Sequence, residues 1–111
     1  MTTKTAEIAA LNDLLRTGIN PALGKWMLTQ GIQSLPPADL IDVLHKVRSF
    51  TAFSEDNNPY GERDFGSLEH GGERIFWKID YYNRTMDGGS EDPADPHLTR
   101  RVLTIMLAME Y

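Results

Sequence analysis

The chain contains no cysteine. A disulfide framework and any thiolate metal site are therefore excluded. No apolar run approaches the roughly 18 residues that a membrane-spanning helix needs. The opening stretch MTTKTAEIAALNDLLRTGIN has no continuous apolar core of the kind a secretory signal carries. These absences predict a cytoplasmic protein with no membrane association. Catalytic punctuation is missing as well. There is no Gly-x-Ser-x-Gly elbow, no His-x-x-x-His or Glu-x-x-His pair, and no glycine-rich turn leading through a lysine into a helix. Nothing here calls for a catalytic residue, a metal or a cofactor.

Basic residues are also few. Eleven lysines and arginines stand against 16 acids, for a net charge of −5. The deficit is local. Residues 54–95 hold eleven acids and four bases, a net −7, which leaves +2 for the rest of the chain. Such a surface repels phosphate backbones and attracts basic partners, although acidity of this size also keeps a small protein soluble. Arg100-Arg101 and the aromatics Phe76, Trp77, Tyr81 and Tyr82 could in principle meet nucleic acid. They lie among Glu69, Glu73 and Asp80, so direct nucleic-acid binding is not expected, and the aromatics read as core.

At 111 residues, 41% hydrophobic and 24% charged, the chain has the composition of one globular domain spanning 1–111. Residues 5–17 read as a helix, with Ile8, Leu11 and Leu15 on one face and Gly18 as its stop. Residues 25–30 suit a short strand between Gly24 and Gly31. Residues 36–50 read as a helix, with the stripe Leu40, Val43, Leu44, Val47 and Phe50, Ser34 as a cap, and prolines in its first turn.

The clearest signal is a hairpin. Runs 64–70 and 73–82 flank Gly71-Gly72, which can supply the positive φ of a tight primed turn. A two-residue loop sets Leu68 against Ile75, Glu69 against Arg74, His70 against Glu73, and Gly66 against Trp77. One face then carries Leu68, Ile75, Trp77, Ile79 and Tyr81. The other carries Phe65, Phe76, Lys78, Asp80 and Tyr82. After a polar loop, Asp95-Pro96 resembles an N-cap and first turn, and 97–109 has a wide apolar arc that predicts a buried final helix. The predicted class is α+β: about three antiparallel strands against about three helices, in the order α-β-α-β-β-α.

Two parts of the chain have some features of a metal site. Asp56-Asn57-Asn58-Pro59-Tyr60-Gly61 begins like a calcium loop, but Tyr60 stands at position five and Ser67 at position twelve, where a bidentate Glu belongs. An Asx-turn loop is the simpler account. His45, His70 and His97 are scattered over three elements, with His45 at the surface and His70 in the hairpin turn. A polar cluster of Glu62, Asp64, His70 and Asp80 would be the basis of an alternative, a small enzyme or metal-binding protein.

The run GERDFGSLEHGGERIFWKIDYYNRTMDGGSEDPADPHLTRRVLTIMLAMEY, with FWKIDYY, DPADP and TRRVLTIMLA as its most specific parts, resembles an uncharacterised bacterial family known as domain of unknown function 3768. The resemblance extends over nearly the whole chain, through WMLTQGIQSLPPAD to the LNDLLRT helix. The family's loop is often closer to Gly-Glu-His-Asp-Phe-Gly. Arg63 stands where that His would be, which weakens a metal role for Glu62 and Asp64. The resemblance implies no activity. It implies an accessory role on plasmids, prophages and other mobile elements.

The leading expectation is thus a non-enzymatic acidic protein whose partner is a protein with a basic surface, in the manner of an inhibitor of a CRISPR or restriction complex. The expected contact residues are Glu55, Asp56, Glu62 and Asp64, with Tyr60, Tyr81 or Tyr82 as aromatic anchors at the edge.

Overall fold

A computed structural model describes residues 3–111. It has an α+β fold built on one mixed four-stranded sheet. Helix α1 spans Lys4–Arg16, and the Thr3 hydroxyl oxygen caps it by accepting from the Ala6 N–H at 3.1 Å. Strand β1 (Gly24–Leu28) follows a single 3-10 turn, then come the short helix α2 (Gln30–Gln33) and helix α3 (Pro37–Arg48). Strands β2 (Phe65–His70) and β3 (Glu73–Tyr82) form the hairpin, and β4 (Arg100–Leu107) ends in a 3-10 turn. The strand order is β1-β4-β3-β2, with β1 parallel to β4 and the other pairs antiparallel.

The hairpin has the predicted register, from Gly66 opposite Trp77 to His70 opposite Glu73. Gly71 and Gly72 have φ of 58° and 83°, the left-handed values that a primed turn requires. Strand alternation divides β3 as expected, with Ile75, Trp77 and Ile79 buried and Phe76, Lys78 and Asp80 only partly covered. Trp77 is the centre of the core. Phe50 and Phe53 meet it edge-on at 5.5 and 6.1 Å, and Val43, Val47, Leu15 and Ile105 close around it.

Three expectations need correction. Residues 97–109 do not form a helix: Arg100–Leu107 is β4, in the sheet interior between β1 and β3. Val102, Leu103, Ile105 and Met106 are all buried, so the strand is covered on both faces. A strand of that kind reads as a continuous apolar run, and its sequence mimics a buried helix. Asp95 caps a turn instead, its carboxylate accepting from the His97 N–H at 2.8 Å. Ser34 closes α2, not α3, which starts at Pro37 behind Pro36. Pairing of β4 with β1 makes the sheet mixed and four-stranded, where about three antiparallel strands were expected.

Arg16 was not singled out by its sequence position. It lies on the buried face of α1 and donates to the Val47 and Arg48 carbonyls at 3.0 and 3.1 Å. A cation thereby meets the negative end of the α3 dipole while stacking over Phe53 and Trp77. Burial lowers its pKa, partly offset by Asp13.

Candidate functional site

The 51–64 loop is shaped by two asparagines. The Asn57 side chain accepts from the Ser54 N–H at 2.8 Å and donates to the Ala52 carbonyl at 3.0 Å. The Asn58 side chain accepts from the Arg63 N–H at 2.8 Å. These side-chain bonds satisfy the loop's own backbone groups and do not engage the carboxylates of Glu55, Asp56 and Asp64. Gly61 (φ 74°) and Arg63 (φ 54°) both adopt the left-handed region. Arg63, the one base in the loop, pairs with Asp13 of α1 at 3.1 Å. Glu55, Asp56 and Asp64 make no ion pair among the described residues.

Between this loop and the outer face of the hairpin lies a cavity of about 590 Å³. Asp56 and Tyr60 contribute from the loop, Asp64 and Phe65 from the entry to β2, Lys78 and Asp80 from β3, and Tyr111 from beyond β4. Strand alternation explains the grouping, because Phe65 pairs with Lys78 across the hairpin and Asp80 lies two residues further along the same face. Tyr111 packs edge-on against Phe65 and Phe76, at 6.4 and 5.6 Å. Lys78 reaches Asp80 at 3.0 Å, and that hydrogen bond raises the pKa of the ammonium. Burial pushes the Asp64 carboxyl above the usual carboxylate range, and the nearby charges of Glu62 and Asp80 add to it.

Beneath the loop runs a polar network. Arg101 is fully buried, and its Nε donates to Asn12 Oδ1 at 2.7 Å. Asn12 Nδ2 donates to the Tyr81 hydroxyl at 2.9 Å and the Glu62 carbonyl at 3.0 Å. The Tyr81 hydroxyl donates to the Glu62 carboxylate at 2.8 Å. The Arg101 guanidinium also stacks 5.2 Å from the centre of the Tyr81 ring and donates to the Pro93 carbonyl. Burial raises the Tyr81 phenol well above its ordinary pKa and lowers that of Arg101. The network fastens the loop to α1, β3 and β4.

The expected contact residues thus divide. Asp56, Tyr60 and Asp64 meet at the cavity, with Glu55 exposed beside them. Glu62 and Tyr81 are bonded to each other in the network instead, and Tyr82 falls on the face opposite Tyr81, paired with Arg100. Adjacent strand residues point to opposite faces, so Tyr81 and Tyr82 are presented on different sides of the sheet. Arg101, one of the two arginines that could in principle meet nucleic acid, is buried. His70 does not join Asp64 and Asp80. It sits at the far end of β2, half-buried, with Nε2 2.8 Å from Asp39 and Nδ1 3.0 Å from the Lys46 ammonium. It fastens the hairpin to α3 and is more than a turn residue. Among the described residues, no group of three or more histidines and carboxylates is placed to hold a metal ion. No helix among them is long and apolar enough to cross a membrane.

Lys78, Phe65 and Tyr111 were missed as cavity residues. The predicted hairpin register already placed Phe65, Lys78 and Asp80 on one face. No local signal pointed to Tyr111.

This chain belongs to the family described as Protein of unknown function (DUF3768), whose model matches residues 28–110. The matched span holds the loop, the hairpin and β4, and begins after the LNDLLRT helix. No curated protein and no solved structure matches the chain.

Proposed function

We propose that this protein is an acidic, non-enzymatic interaction protein, a mobile-element accessory factor that inhibits or regulates a host protein complex by occupying a basic surface. A nucleic-acid-handling complex of the CRISPR or restriction kind fits this reading, since carboxylates would lie where phosphates normally bind. The mobile-element setting comes from the family resemblance, and a cytoplasmic setting accords with the absence of cysteine. One observation carries the proposal. The loop's only base, Arg63, is turned away to Asp13, so the exposed Glu55 and Asp56 and the half-buried Asp64 are left without a cation among the described residues. Self-repulsion of that kind costs the free protein stability, and a basic partner relieves it.

The test is affinity capture from a bacterial host lysate, with partners identified by mass spectrometry. Charge reversal at Glu55, Asp56 and Asp64 provides the control. Glu62 is left intact because it bonds the half-buried Tyr81 hydroxyl. Partners should be released by raised salt and lost with the folded triple variant. Retention of the same partners by that variant would remove the loop from the mechanism. The alternative of an enzyme or metal-binding protein on Glu62, Asp64, His70 and Asp80 is left with Asp64 and Asp80, since His70 is bonded to Asp39 and the Glu62 carboxylate to the Tyr81 hydroxyl.

A further inference from the structure

We infer that the cavity between the 54–64 loop and the hairpin takes a single cationic side chain, arginine or lysine, presented by the protein partner. This inference rests on the acidic-interaction reading and says where its specific contact lies. At about 590 Å³ the cavity is within the size range of small-ligand sites and has room for a guanidinium with its alkyl stem. Its walls combine two things that a cation seeks. Aromatic rings come from Tyr60, Phe65 and Tyr111, and carboxylates from Asp56, Asp64 and Asp80. Tyr60 and Tyr111 are 81% and 77% exposed, which leaves their rings open to a cation. Tyr111 is nonetheless held in place by its edge-on contacts with Phe65 and Phe76.

The charges in the cavity do not balance. Lys78 is its only base, and Lys78 is committed to Asp80 at 3.0 Å. Asp64 is half-buried with no ion pair among the described residues, between the negative charges of Glu62 and Asp80, and its carboxyl is raised above its ordinary pKa. An apolar occupant would strip water from that carboxylate and leave it unpaired, which is costly. An anion would be repelled. For a metal ion, no group of three or more histidines and carboxylates is placed to hold it among the described residues. A delocalised guanidinium or an ammonium satisfies both the rings and the carboxylate.

The experiment titrates isotope-labelled protein with acetyl-arginine amide, following backbone amide shifts by NMR. Acetyl-citrulline amide, the neutral analogue of the same shape, is the control. The arginine probe should shift amides in 56–64 and 78–80, and the citrulline probe should not. Tyr60→Ala and Asp64→Asn should each weaken binding by about fivefold or more, as truncation of one partner of a half-buried charge contact does. Both positions are chosen to leave folding intact, because Tyr60 is exposed and Asp64 bonds no cation among the described residues. Equal shifts from citrulline, or shifts only outside the cavity, would overturn the inference.

A second arm measures a deca-lysine peptide at low salt against wild type, the two cavity variants and a Glu55→Lys, Glu91→Lys variant. Loss of binding in the cavity variants supports the inference. Binding that ignores Tyr60 and Asp64 but falls with Glu55 and Glu91 overturns the cavity and leaves the acidic-surface reading standing. No binding to wild type defeats both.

Discussion

Gly66 and Trp77 face each other across the hairpin, and the indole fills the space that a side chain at position 66 would need. A Cβ added to Gly66 would lie 2.2 Å from Trp77 Nε1 and 2.9 Å from Phe50 Cζ. Trp77 is completely buried among Phe50, Phe53 and the helices, so the ring has nowhere to retreat. Gly66→Ala should cost about 1–3 kcal/mol by overpacking. Trp77→Ala should cost about 3–5 kcal/mol by leaving a cavity. The double variant should cost less than the sum, because the added methyl then occupies vacated space. Urea denaturation of the four proteins measures this, and simple additivity would show that the two residues do not share the space.

Asn12 links Arg101, 89 residues further along the chain, to Tyr81, 69 residues further along. Asn12→Ala removes the acceptor for a buried guanidinium N–H and the donor to Tyr81. The loss should be about 2–3 kcal/mol, above that for an exposed asparagine, because a charged group is left unsatisfied. A stability change under about 0.5 kcal/mol, the scale of surface substitutions, would mean that water replaces Asn12 freely.

The same network has an alkaline signature. The Tyr81 phenol has its pKa raised by burial in the folded state, whereas the unfolded phenol titrates near its ordinary value of about 10. The stability it contributes is therefore complete below about pH 10 and is lost as pH rises further. The stability difference between wild type and Tyr81→Phe should shrink between about pH 9 and pH 11. Urea midpoints for both proteins across that range provide the measurement, and a constant difference would place the hydroxyl in solvent.

Asp64 has the same sign of shift at the acid end. Its folded-state pKa is raised, first by burial and then by Glu62 and Asp80. Its contribution is present below the unfolded value of about 4 and is lost as pH rises through the raised value. Asp64→Asn should therefore be as stable as wild type or more so at neutral pH, with the advantage fading toward about pH 4. Thermal melts at the two pH values decide it. A marked loss at neutral pH would reveal a favourable charge contact of Asp64 within the free protein.

Direct binding to nucleic acid is not expected. The net charge is −5, and Arg101 faces the interior. A random oligonucleotide should show no complex tighter than micromolar at ~0.15 M salt. Fluorescence anisotropy tests this, and a salt-sensitive complex tighter than that would reverse the sign of the proposed partner.

The sequence by itself determined what depends on neighbours along the chain. The hairpin was legible down to its register, because alternation and two adjacent glycines specify both the pairing and the turn. Helices α1 and α3 were legible from one-sided apolar stripes and their stops. The acidic loop was legible from composition. Only the tertiary structure decided the rest. β4 carries apolar side chains on both faces, so nothing in its periodicity distinguishes a central strand from a buried helix until β1 and β3 flank it. Tyr81 and Tyr82 look alike in sequence, yet Arg101 and Asn12, far away along the chain, bury the hydroxyl of one and not the other. Asp64 and Glu62 look equally free, but one opens into a cavity while the other accepts from a half-buried tyrosine. In each case the deciding contacts join residues distant in sequence, and those contacts exist only after the core around Trp77 has closed.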